Sequence, residues 1–325
     1  GGTARCRCPL PGGGGQAGNV ARGGRMTLDQ LRIFVAVAER EHVTRAAEAL
    51  NLTQSTISAA IAALETRHDV RLFDRIGRGI RLTEAGRVFL GEARAVLSRA
   101  EAASAALVDL AGLSRGTLRL AASQTVANYW LPARLQGFRA AHPRIDLSLR
   151  IGNTEQVAGW TGEGSVDLGL VEGPVDDEDL SPQRIAEDRL VLVLPRGHAV
   201  AARGIVNARA LRELSFVTRE AGSGTGVMLA RLAESAGLKL YDLDIIMEMA
   251  SNEALRSAVE AGMGAAVLSS LVAAGGVRAG KLSTLELALP PRPFFALHHR
   301  GRHLSHAGRA FLEMLEANTS RKIPT

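Results

Sequence analysis

Apolar residues near the start of the chain recur at the spacing of an amphipathic helix. In "LDQLRIFVAVAE", residues 28–39, one helical face carries Leu28, Leu31, Phe34, Val35 and Ala38. Steps of three and four residues return to the same side of a helix, so this stretch is predicted to form a helix with one buried face.

Two more helices are predicted in "VTRAAEALNLTQSTISAAIAALE", residues 43–65. Thr44 is expected to cap a short helix that ends near Leu50. Asn51 follows, and asparagine tolerates the positive φ of a tight turn. Thr53 then caps the next helix, in which Ile57, Ile61 and Leu64 form the apolar face. With the small Ala47 where two helices would cross, this spacing predicts a helix-turn-helix; a generic helical hairpin is the alternative.

The residues that follow the third helix combine glycine with arginine. "RIGRGI", between Phe73 and Leu82, predicts a two-stranded β-wing with Gly77 and Gly79 at its tip. The arginines in and around this segment are Arg67, Arg71, Arg75, Arg78, Arg81 and Arg87. Such residues contact DNA phosphates or enter the minor groove, or else form a solvated surface.

A long helix is predicted over residues 84–112, where proline is absent and alanine is abundant. Small and apolar residues recur along it at alternating steps of three and four, the a/d seam of a coiled coil. The seam consists of Leu90, Ala93, Leu97, Ala100, Ser104, Leu107 and Ala111. It predicts close packing against another helix in a dimer, or packing on the same chain.

Strand and helix patterns alternate from residue 115 onward, which predicts an α/β domain with largely parallel sheets. The predicted strands are "GTLRLAAS", "IDLSLRIG", "VDLGLVEG", "DRLVLVLP", "FVTRE" and "AAVLSS". The predicted helices are "YWLPARLQGFRAAHP", ending before Pro143, and "NEALRSAVEAG". The fold class is therefore an all-α winged helix-turn-helix followed by an α/β domain.

Small polar residues follow several of these strands, at the sheet edge where parallel α/β domains bind ligands. Several also open helices, whose free N–H groups and dipole favour an anion. The candidates are Ser123, Gln124, Thr125, Asn153, Thr154, Glu172, Ser223, Gly224, Thr225, Ser251 and Asn252. Helix capping explains any one of them alone, but their joint placement predicts a ligand-binding cleft.

The second helix of a helix-turn-helix enters the major groove of DNA by its N-terminal end. Gln54 has the bidentate amide that matches adenine, and Ala59 can touch a thymine methyl group. No arginine or lysine lies between residues 53 and 66, so the wing must supply the positive charge. The DNA-binding candidates are Thr53, Gln54, Ser55, Thr56, Ser58, Ala59, Arg75, Arg78 and Arg81.

Composition changes this picture little. The 325 residues suffice for two or three domains, and 46% hydrophobic and 22% charged residues are typical of soluble globular proteins. The net charge is +6, and four of those charges are Arg5, Arg7, Arg22 and Arg25. Residues 1–25 lack the apolar core of a secretion signal and are predicted to be a flexible extension before Met26. Overall charge therefore says little about DNA.

Cysteine content and hydropathy point to a cytoplasmic protein. Only Cys6 and Cys8 are present, so no disulfide framework is expected and a reducing compartment fits best. No apolar run reaches 18 residues, which argues against a transmembrane helix. His298, His299, His303 and His306 straddle a strand end and a turn at Gly301, and no metal site is predicted there.

The loop "EAGSGTG", residues 220–226, is the strongest candidate for catalysis or phosphate binding. It departs from the nucleophile elbow G-x-S-x-G because Ala221 occupies the first glycine position. It also lacks the Gly-Lys-Ser/Thr end of a P-loop, and Val227 replaces the last glycine of a dinucleotide-binding motif. We therefore expect no enzymatic activity and no cofactor. A transport-type binding protein would explain this half of the chain but not the helix-turn-helix.

The stretches "LRIFVAVAE", "TRAAEALNLTQSTIS" and "LFDRIGRGIRLTEAG", in this order and spacing, resemble the winged helix-turn-helix of LysR-type transcriptional regulators. The resemblance continues through most of the chain. "GNTEQV", "VDLGLVEG", "EAGSGTG" and "SNEALRSAVEAGMG" are most similar to a subgroup associated with sulfur and carbon assimilation. Relatives often have "EPGSGTR", whereas this chain has Ala221 and Gly226, which weakens the expectation of a strongly anionic ligand.

The resemblance implies an architecture. A DNA-binding domain at 26–84 and a linker helix for dimerisation at 85–114 precede an effector domain at 115–325, similar to type 2 periplasmic binding proteins. Lobe I of that domain is expected at about 115–187 and 288–325, and lobe II at about 188–287. The chain would cross between lobes near 187–190 and 285–295.

The resemblance also implies a function and its partners. The expected protein is a regulator that binds promoter or operator sites in double-stranded DNA. A small-molecule effector, an anionic or phosphorylated metabolite, would bind between the lobes. The other expected partners are further copies of the chain, in a homodimer or homotetramer, and RNA polymerase, with no membrane association.

Overall fold

The computed structural model describes residues 26–76, 79–110 and 116–320. Two compact units divide after Gly86, a helical unit before it and an α/β unit after it. The helical unit contains α1 (Leu28–Arg40), α2 (Val43–Leu50), α3 (Gln54–His68), β1 (Phe73–Ile76) and β2 (Gly79–Leu82). The predicted helix-turn-helix and two-stranded wing are both confirmed.

Local sequence accounts for the helix ends of this unit. Thr27 forms a capping box with Gln30 at the start of α1. Asn51 ends α2 with φ 53°, as predicted for the turn, and Thr53 caps α3. The predicted cap of α2 is wrong by two positions. His42 is the cap, because its Nδ1 accepts the backbone N–H of Arg45 at 3.4 Å, and Thr44 lies inside the helix.

The core of the helical unit lies between the three helices. One cluster of it contains Ile33, Ala36, Val37, Ala46, Ala47 and Ile57, and Leu31, Phe34, Ala38 and Leu64 are buried as well. The predicted buried face of α1 is therefore partly wrong. Leu28 is 40% exposed because it begins the helix, whereas Ile33 and Val37, which the prediction omitted, are buried. The small Ala47 lies in this core, as the predicted crossing of two helices requires.

The predicted long helix is α4 (Glu84–Leu110). Its first turn packs closely on the preceding segment, because a Cβ at Gly86 would overlap the backbone oxygen of Leu72. Along the predicted seam Ala93 is buried, whereas Leu107 is 70% exposed. Ala111 lies outside the described residues. The helix therefore packs on its own chain near its start and leaves apolar positions open near its end.

The α/β unit alternates strands and helices. Its strands are β3 (Gly116–Ser123), β4 (Ile145–Gly152), β5 (Leu168–Glu172), β6 (Leu180–Asp188), β7 (Leu190–Pro195), β8 (Ser215–Arg219), β9 (Asp244–Met249), β10 (Ala266–Ser269), β11 (Leu282–Glu286) and β12 (Arg292–His299). Its helices after α4 are α5 (Pro132–Ala141), α6 (Thr154–Glu163), α7 (Ala199–Arg203), α8 (Ala208–Arg212), α9 (Gly226–Ser235), α10 (Asn252–Glu260), α11 (Ser270–Arg278) and α12 (His306–Ser320). A π-helical turn, Val126–Trp130, precedes α5.

These strands form two halves. The five-stranded half has the sheet order β4-β3-β5-β12-β6, and the three-stranded half has the order β10-β7-β11 beside the pair β8-β9. The chain passes from the first half to the second at Arg189, between β6 and β7, and returns between β11 and β12. Leu170, Phe294 and Phe311 lie in the core of the first half, and Leu192 and Phe216 in a core of the second.

The expectation of largely parallel sheets is wrong for several strands. The β4-β3-β5 set and the β8-β9 pair are parallel, but β12 is antiparallel to β5 and β6, and β7 is antiparallel to β10 and β11. The pattern did not predict β6, β9, β11 or β12 as strands. Three of these, β6, β11 and β12, run antiparallel to a neighbour: the chain enters β6 and β12 by a loop, whereas β11 follows α11 and pairs with β7.

Candidate DNA-binding surface and effector cleft

The start of α3 presents polar side chains to solvent on a fixed backbone. Ile57 is fully buried and holds the helix on the core, whereas the neighbouring candidates Gln54, Ser55, Thr56, Ser58 and Ala59 are all exposed. Thr53 serves as the cap, because its hydroxyl accepts the backbone N–H of Thr56 at 3.2 Å. The cap fixes the first turn and leaves the exposed amide of Gln54 beside it.

A groove of about 260 Å³ connects α3 with the wing. Its lining brings three of the predicted residues together, Gln54, Ser58 and Arg75. It also includes Thr44, which the sequence indicated only as a helix cap, and His42, which the sequence analysis did not name. The only sequence signal for these two residues is that each is polar and lies near the start of a predicted helix.

The two other wing arginines are placed differently from Arg75. In the β1–β2 register Arg75 faces Ile80, whereas Arg81 faces Asp74. Cross-strand partners share a face of the hairpin and adjacent residues alternate, so Arg81 points to the opposite side from Arg75. Arg78 lies outside the described residues.

The candidates of the α/β unit form a buried hydrogen-bond network between its halves. The hydroxyl of Thr125 donates to Glu172 Oε1 at 3.0 Å, and Asn252 Nδ2 donates to Thr125 Oγ1 at 3.0 Å. These three side chains are at most 2% exposed. Thr125 and Glu172 belong to the five-stranded half and Asn252 begins α10, so the network crosses from one half to the other.

Two arginines outside the predicted site residues complete this network. Arg219 donates to Asn252 Oδ1, and its Nε and Nη2 donate to Glu220 at 2.7 and 2.8 Å. Burial raises the pKa of Glu220, but hydrogen bonds from Arg219 outweigh it, so the pKa falls below its ordinary value. The signal for Arg219 was present: it is a charged residue in the predicted apolar strand "FVTRE".

The second arginine, Arg292, is the first residue of β12 and lies at the boundary between the halves. Its Nη2 donates to Asp188 Oδ2 at 2.5 Å, and its Nη1 donates to Thr225 Oγ1 at 3.2 Å. Ser269 donates to the other oxygen of Asp188 at 2.7 Å. Glu172 Oε1 lies 3.8 Å from Arg292 Nη1, which joins this ion pair to the network around Thr125.

A cavity of about 520 Å³ opens beside the network. Four of the predicted residues line it, Thr154, Glu172, Ser223 and Gly224, together with Arg231 and Arg292. Two buried atoms of that lining, Glu172 Oε2 and Arg292 Nε, have no hydrogen-bond partner in the protein. The cavity therefore contains an acceptor and a donor that the fold leaves for a bound molecule.

The other predicted cleft residues do not line this cavity. They are Ser123, Gln124, Thr125, Asn153, Thr225 and Asn252. Asn153 and Ser251 cap α6 and α10, so the capping alternative holds for these two. Thr225 makes no side-chain cap and accepts from Arg292 instead. The hydroxyl of Ser123 is buried without a hydrogen-bond partner.

The loop of residues 220–226 forms one wall of the cavity. Gly222, at φ +78°, accepts the backbone N–H of Glu155 at 3.2 Å, which fixes the loop on the start of α6. A Cβ at Gly224 would approach the backbone oxygen of Glu172 to 2.5 Å, so glycine permits this close packing. The loop is held in place by both halves.

Contacts at the other end of the network also join the halves. Gln124 donates to the carbonyl of Ala250 at 2.8 Å and accepts the backbone N–H of Asn252 at 2.9 Å. Tyr129 donates to Glu253 at 2.9 Å. Burial, together with this bond to Glu253, raises the pKa of the Tyr129 hydroxyl to about 12.

Among residues 26–76, 79–110 and 116–320, no three His, Cys, Asp or Glu side chains are grouped to hold a metal ion. Within the same residues no helix is both long enough and apolar enough to span a membrane.

Two family sequence models match this chain. Residues 28–87 match "Bacterial regulatory helix-turn-helix protein, lysR family", and residues 111–320 match "LysR substrate binding domain". The chain is 35% identical over 302 residues to the uncharacterized HTH-type transcriptional regulator YeiE of Escherichia coli K12, covering 91% of this chain and 99% of that protein. It is 34% identical over 298 residues to the RuBisCO operon transcriptional regulator of Allochromatium vinosum, covering 91% and 97%.

A solved structure extends this likeness to the α/β unit. The regulatory domain of CcmR from Synechocystis PCC6803, in complex with 2-PG, aligns with a TM-score of 0.58 at 30% identity. The alignment covers 65% of this chain and all of that domain.

Proposed function

The chain belongs to the LysR family of transcriptional regulators, and we propose that a small anionic metabolite bound between the two α/β halves controls its binding to promoter DNA. A helix-turn-helix and a LysR substrate-binding domain on one chain carry this proposal. The DNA-binding domain then spans 26–84, the linker helix 85–114 and the effector domain 115–325. Lobe I takes about 115–187 and 288–325, and lobe II about 188–287.

The first turn of α3 reads base edges in the major groove. Support comes from the exposed Gln54 and Ser58, which share a groove with Arg75. Ser55, Thr56 and Ala59 extend this exposed face, with Thr53 as its cap. Arg75 contacts phosphate beside α3, while Arg81 and Arg78 contact the DNA backbone from other parts of the wing.

The effector binds in the cavity of about 520 Å³ lined by Thr154, Glu172, Ser223 and Gly224. Arg231 and Arg292 line it as well, beside the carboxylates of Glu155, Glu172, Asp176 and Asp177. Because Arg292 is paired with Asp188, Arg231 is the cation that we expect to meet the anion. A ligand there meets the unpartnered Glu172 Oε2 and Arg292 Nε. Gln124, Thr125, Asn153, Thr225 and Asn252 couple the ligand to the rest of the cleft through their hydrogen bonds, and Ser123 adds a buried hydroxyl without a partner.

The active form is a homodimer or homotetramer in the cytoplasm, which recruits RNA polymerase and has no catalytic function. The α4 seam supports association, because its Leu107 is 70% exposed, and Val96 beside the seam is 47% exposed. Two copies place two recognition helices on one two-fold DNA site. Effector binding shifts the balance between arrangements of the oligomer and so changes how the DNA is contacted.

The test is a footprint of the full chain on a DNA site selected from a randomised library, with and without 2-PG, the ligand of the CcmR domain. We expect 2-PG to change the footprint and to raise the melting temperature, because it stabilises the native state by about 2.7 kcal/mol at a hundredfold excess over Kd. Arg231→Gln should lose this response, and Arg144→Gln, an exposed arginine that does not line the cavity, should keep it.

The same two measurements, repeated with a panel of other small anions, decide the proposal. If no anion alters either the footprint or the melting temperature, control by an anionic effector is wrong. If anions bind but Arg231→Gln responds as the unaltered chain does, the effector binds elsewhere.

A further inference from the structure

A second cavity lies away from the effector cleft, between α4 and the five-stranded half. It has a volume of about 440 Å³ and includes Ser98 and Glu101 of α4, Arg119, His299 and Arg302 in its lining. None of its lining residues belongs to the effector cleft. It is formed where the helix that precedes the effector domain packs against that domain.

The charges around this cavity are unevenly paired. Arg119 donates to Asp167 at 2.9 Å and also pairs with Glu101, so two carboxylates neutralise one arginine. Among the described residues Arg302 has no carboxylate within ion-pair distance, and its Nη1 donates only to Ser98 Oγ at 3.3 Å. Burial, with Arg99 and Arg119 nearby, lowers the pKa of Arg302. A partly buried cation without a counter-ion is costly and favours an added anion.

Histidines of the lining supply further donors. His299 Nδ1 accepts the backbone N–H of Gly301 at 3.0 Å, so the neutral ring carries its proton on Nε2. Burial, and after it the charge of Arg302, lowers the pKa of His299 and favours this neutral form. His298 also lines the cavity, and its buried Nδ1 has no hydrogen-bond partner. The cavity thus combines one uncompensated guanidinium with the Nε2–H donor of His299 and a ring nitrogen of His298 that makes no hydrogen bond within the protein.

A structural role accounts for only part of this arrangement. Gly164 ends α6 at φ +75°, and a Cβ there would overlap the Arg302 guanidinium, so the arginine lies over the helix C-terminus. A cation is favourable at that position because of the helix dipole. The dipole explains why Arg302 tolerates partial burial, but it explains neither the open volume nor the idle imidazole nitrogen of His298.

We propose that this cavity is a second ligand site, which binds a phosphate-type oxyanion through Arg302, His299 and Ser98. Donors from α4, from β12 and from the loop after β12 approach from different sides, which suits an anion with several oxygens. A free phosphate ion and a small organic phosphate share this chemistry, and both fit the volume. The occupied site joins α4 to the five-stranded half through the ligand.

The experiment measures inorganic phosphate binding to the full chain by titration calorimetry at constant ionic strength. We expect saturable binding, and Arg302→Gln should weaken it by about tenfold or more through the loss of a charge-assisted hydrogen bond. Arg300→Gln is the matched control, since it removes the same charge two residues away and does not line the cavity. Arg302→Lys keeps the charge and should retain part of the affinity.

Each outcome decides the proposal. Equal phosphate affinity in Arg302→Gln and in the unaltered chain overturns it, as does heat that rises linearly without saturation. Arg231→Gln separates the two cavities: loss of phosphate binding in that variant, with binding kept in Arg302→Gln, assigns phosphate to the effector cleft and overturns the second site. Competition with 2-PG shows whether the site also accepts an organic phosphate or binds only the inorganic ion. If Arg302→Gln melts at a lower temperature, its loss of affinity is not used, and the phosphate affinity of Arg302→Lys decides whether the site depends on the charge at this position.

Discussion

The first turn of α3 and the network between the α/β halves are built from the same residue types, but the fold uses them in opposite ways. In the first turn of α3 the amide and hydroxyl groups beyond the cap are exposed, and Ile57 is buried. In the cleft, Thr125 and Asn252 are fully buried and bonded to one another. One region offers its hydrogen bonds to solvent, and the other has already satisfied most of them.

The difference determines how each region can respond to a partner. A DNA base bound at the exposed Gln54 would replace water without breaking a contact within the protein, so recognition proposed there would add contacts to a preformed surface. A ligand that enters the cleft network must exchange bonds among groups that hold the two halves together. Binding in the cleft is therefore coupled to the arrangement of the halves, whereas binding at α3 is not.

The largest expected effect comes from the buried ion pair of Asp188 and Arg292. Asp188→Ala leaves the guanidinium buried without its partner, and we expect a loss of about 3–5 kcal/mol in the free energy of unfolding. Urea denaturation followed by tryptophan fluorescence measures it selectively. The chain has two tryptophans, Trp130 and Trp160, and both belong to the α/β unit.

Glu187→Ala is the control for that measurement. It removes the adjacent carboxylate, whose ion pair with Arg184 has both side chains more than half exposed. Exposed pairs contribute about 0–1 kcal/mol. If Asp188→Ala cost no more than Glu187→Ala, the cleft network would not hold the halves, and the contrast with α3 would fail.

The sequence was sufficient where the signal is local. The turn at Asn51, the cap at Thr53 and the wing follow from residues within a few positions of one another, and the structure confirms them. Thr44 shows the limit of such reasoning, because two polar residues, His42 and Thr44, compete to begin α2, and the sequence does not rank an imidazole against a hydroxyl.

Long-range pairing was not accessible from one sequence. Arg292 and Asp188 are 104 residues apart, and Arg219 and Asn252 are 33 apart. The partners of such charges depend on which strands are neighbours, and the antiparallel pairing of β6 with β12, which brings Asp188 to Arg292, was not predicted. The small polar candidates were found by their place after strands, but their burial and mutual bonding were not.

The next effect tests the α3 side of the comparison. Gln54→Ala should weaken binding to the selected DNA site by about 1–3 kcal/mol and leave binding to random DNA unchanged, because a bidentate amide discriminates between bases. Fluorescence anisotropy on both DNAs measures it. Arg75→Gln is the matched comparison: a phosphate contact should weaken both DNAs alike and reduce the salt dependence of log K by about one unit.

Two outcomes would contradict this assignment. Equal losses of Gln54→Ala on selected and random DNA would mean that the amide contacts the backbone rather than a base. A change in the unfolding free energy of the α/β unit with Gln54→Ala would contradict the view that α3 is a surface independent of the fold. Tryptophan fluorescence on the same samples provides that check.

The smallest effect is expected at Glu220, where the network meets solvent. Hydrogen bonds from Arg219 hold its pKa below the ordinary value of 4.5 in the folded state, although burial opposes them. A lowered folded pKa stabilises the native state above pH 4.5, and this contribution disappears as the pH falls through the folded value. Because solvent screens the partly exposed carboxylate, we expect the contribution to be under about 1 kcal/mol.

The measurement is the difference in unfolding free energy between the unaltered chain and Glu220→Gln, followed by tryptophan fluorescence from pH 7 downward. The difference should be constant above pH 5 and should shrink below about 4.5. The reason is that residue 220 gains a proton in the unaltered chain but cannot do so in Glu220→Gln. A difference that does not depend on pH would mean that Arg219 is held by Asn252 alone. In that case the buried hydrogen-bond network would end at Asn252 and would not depend on the partly exposed Glu220. The cleft would then differ from the exposed surface of α3 even more than the Glu220 contact implies.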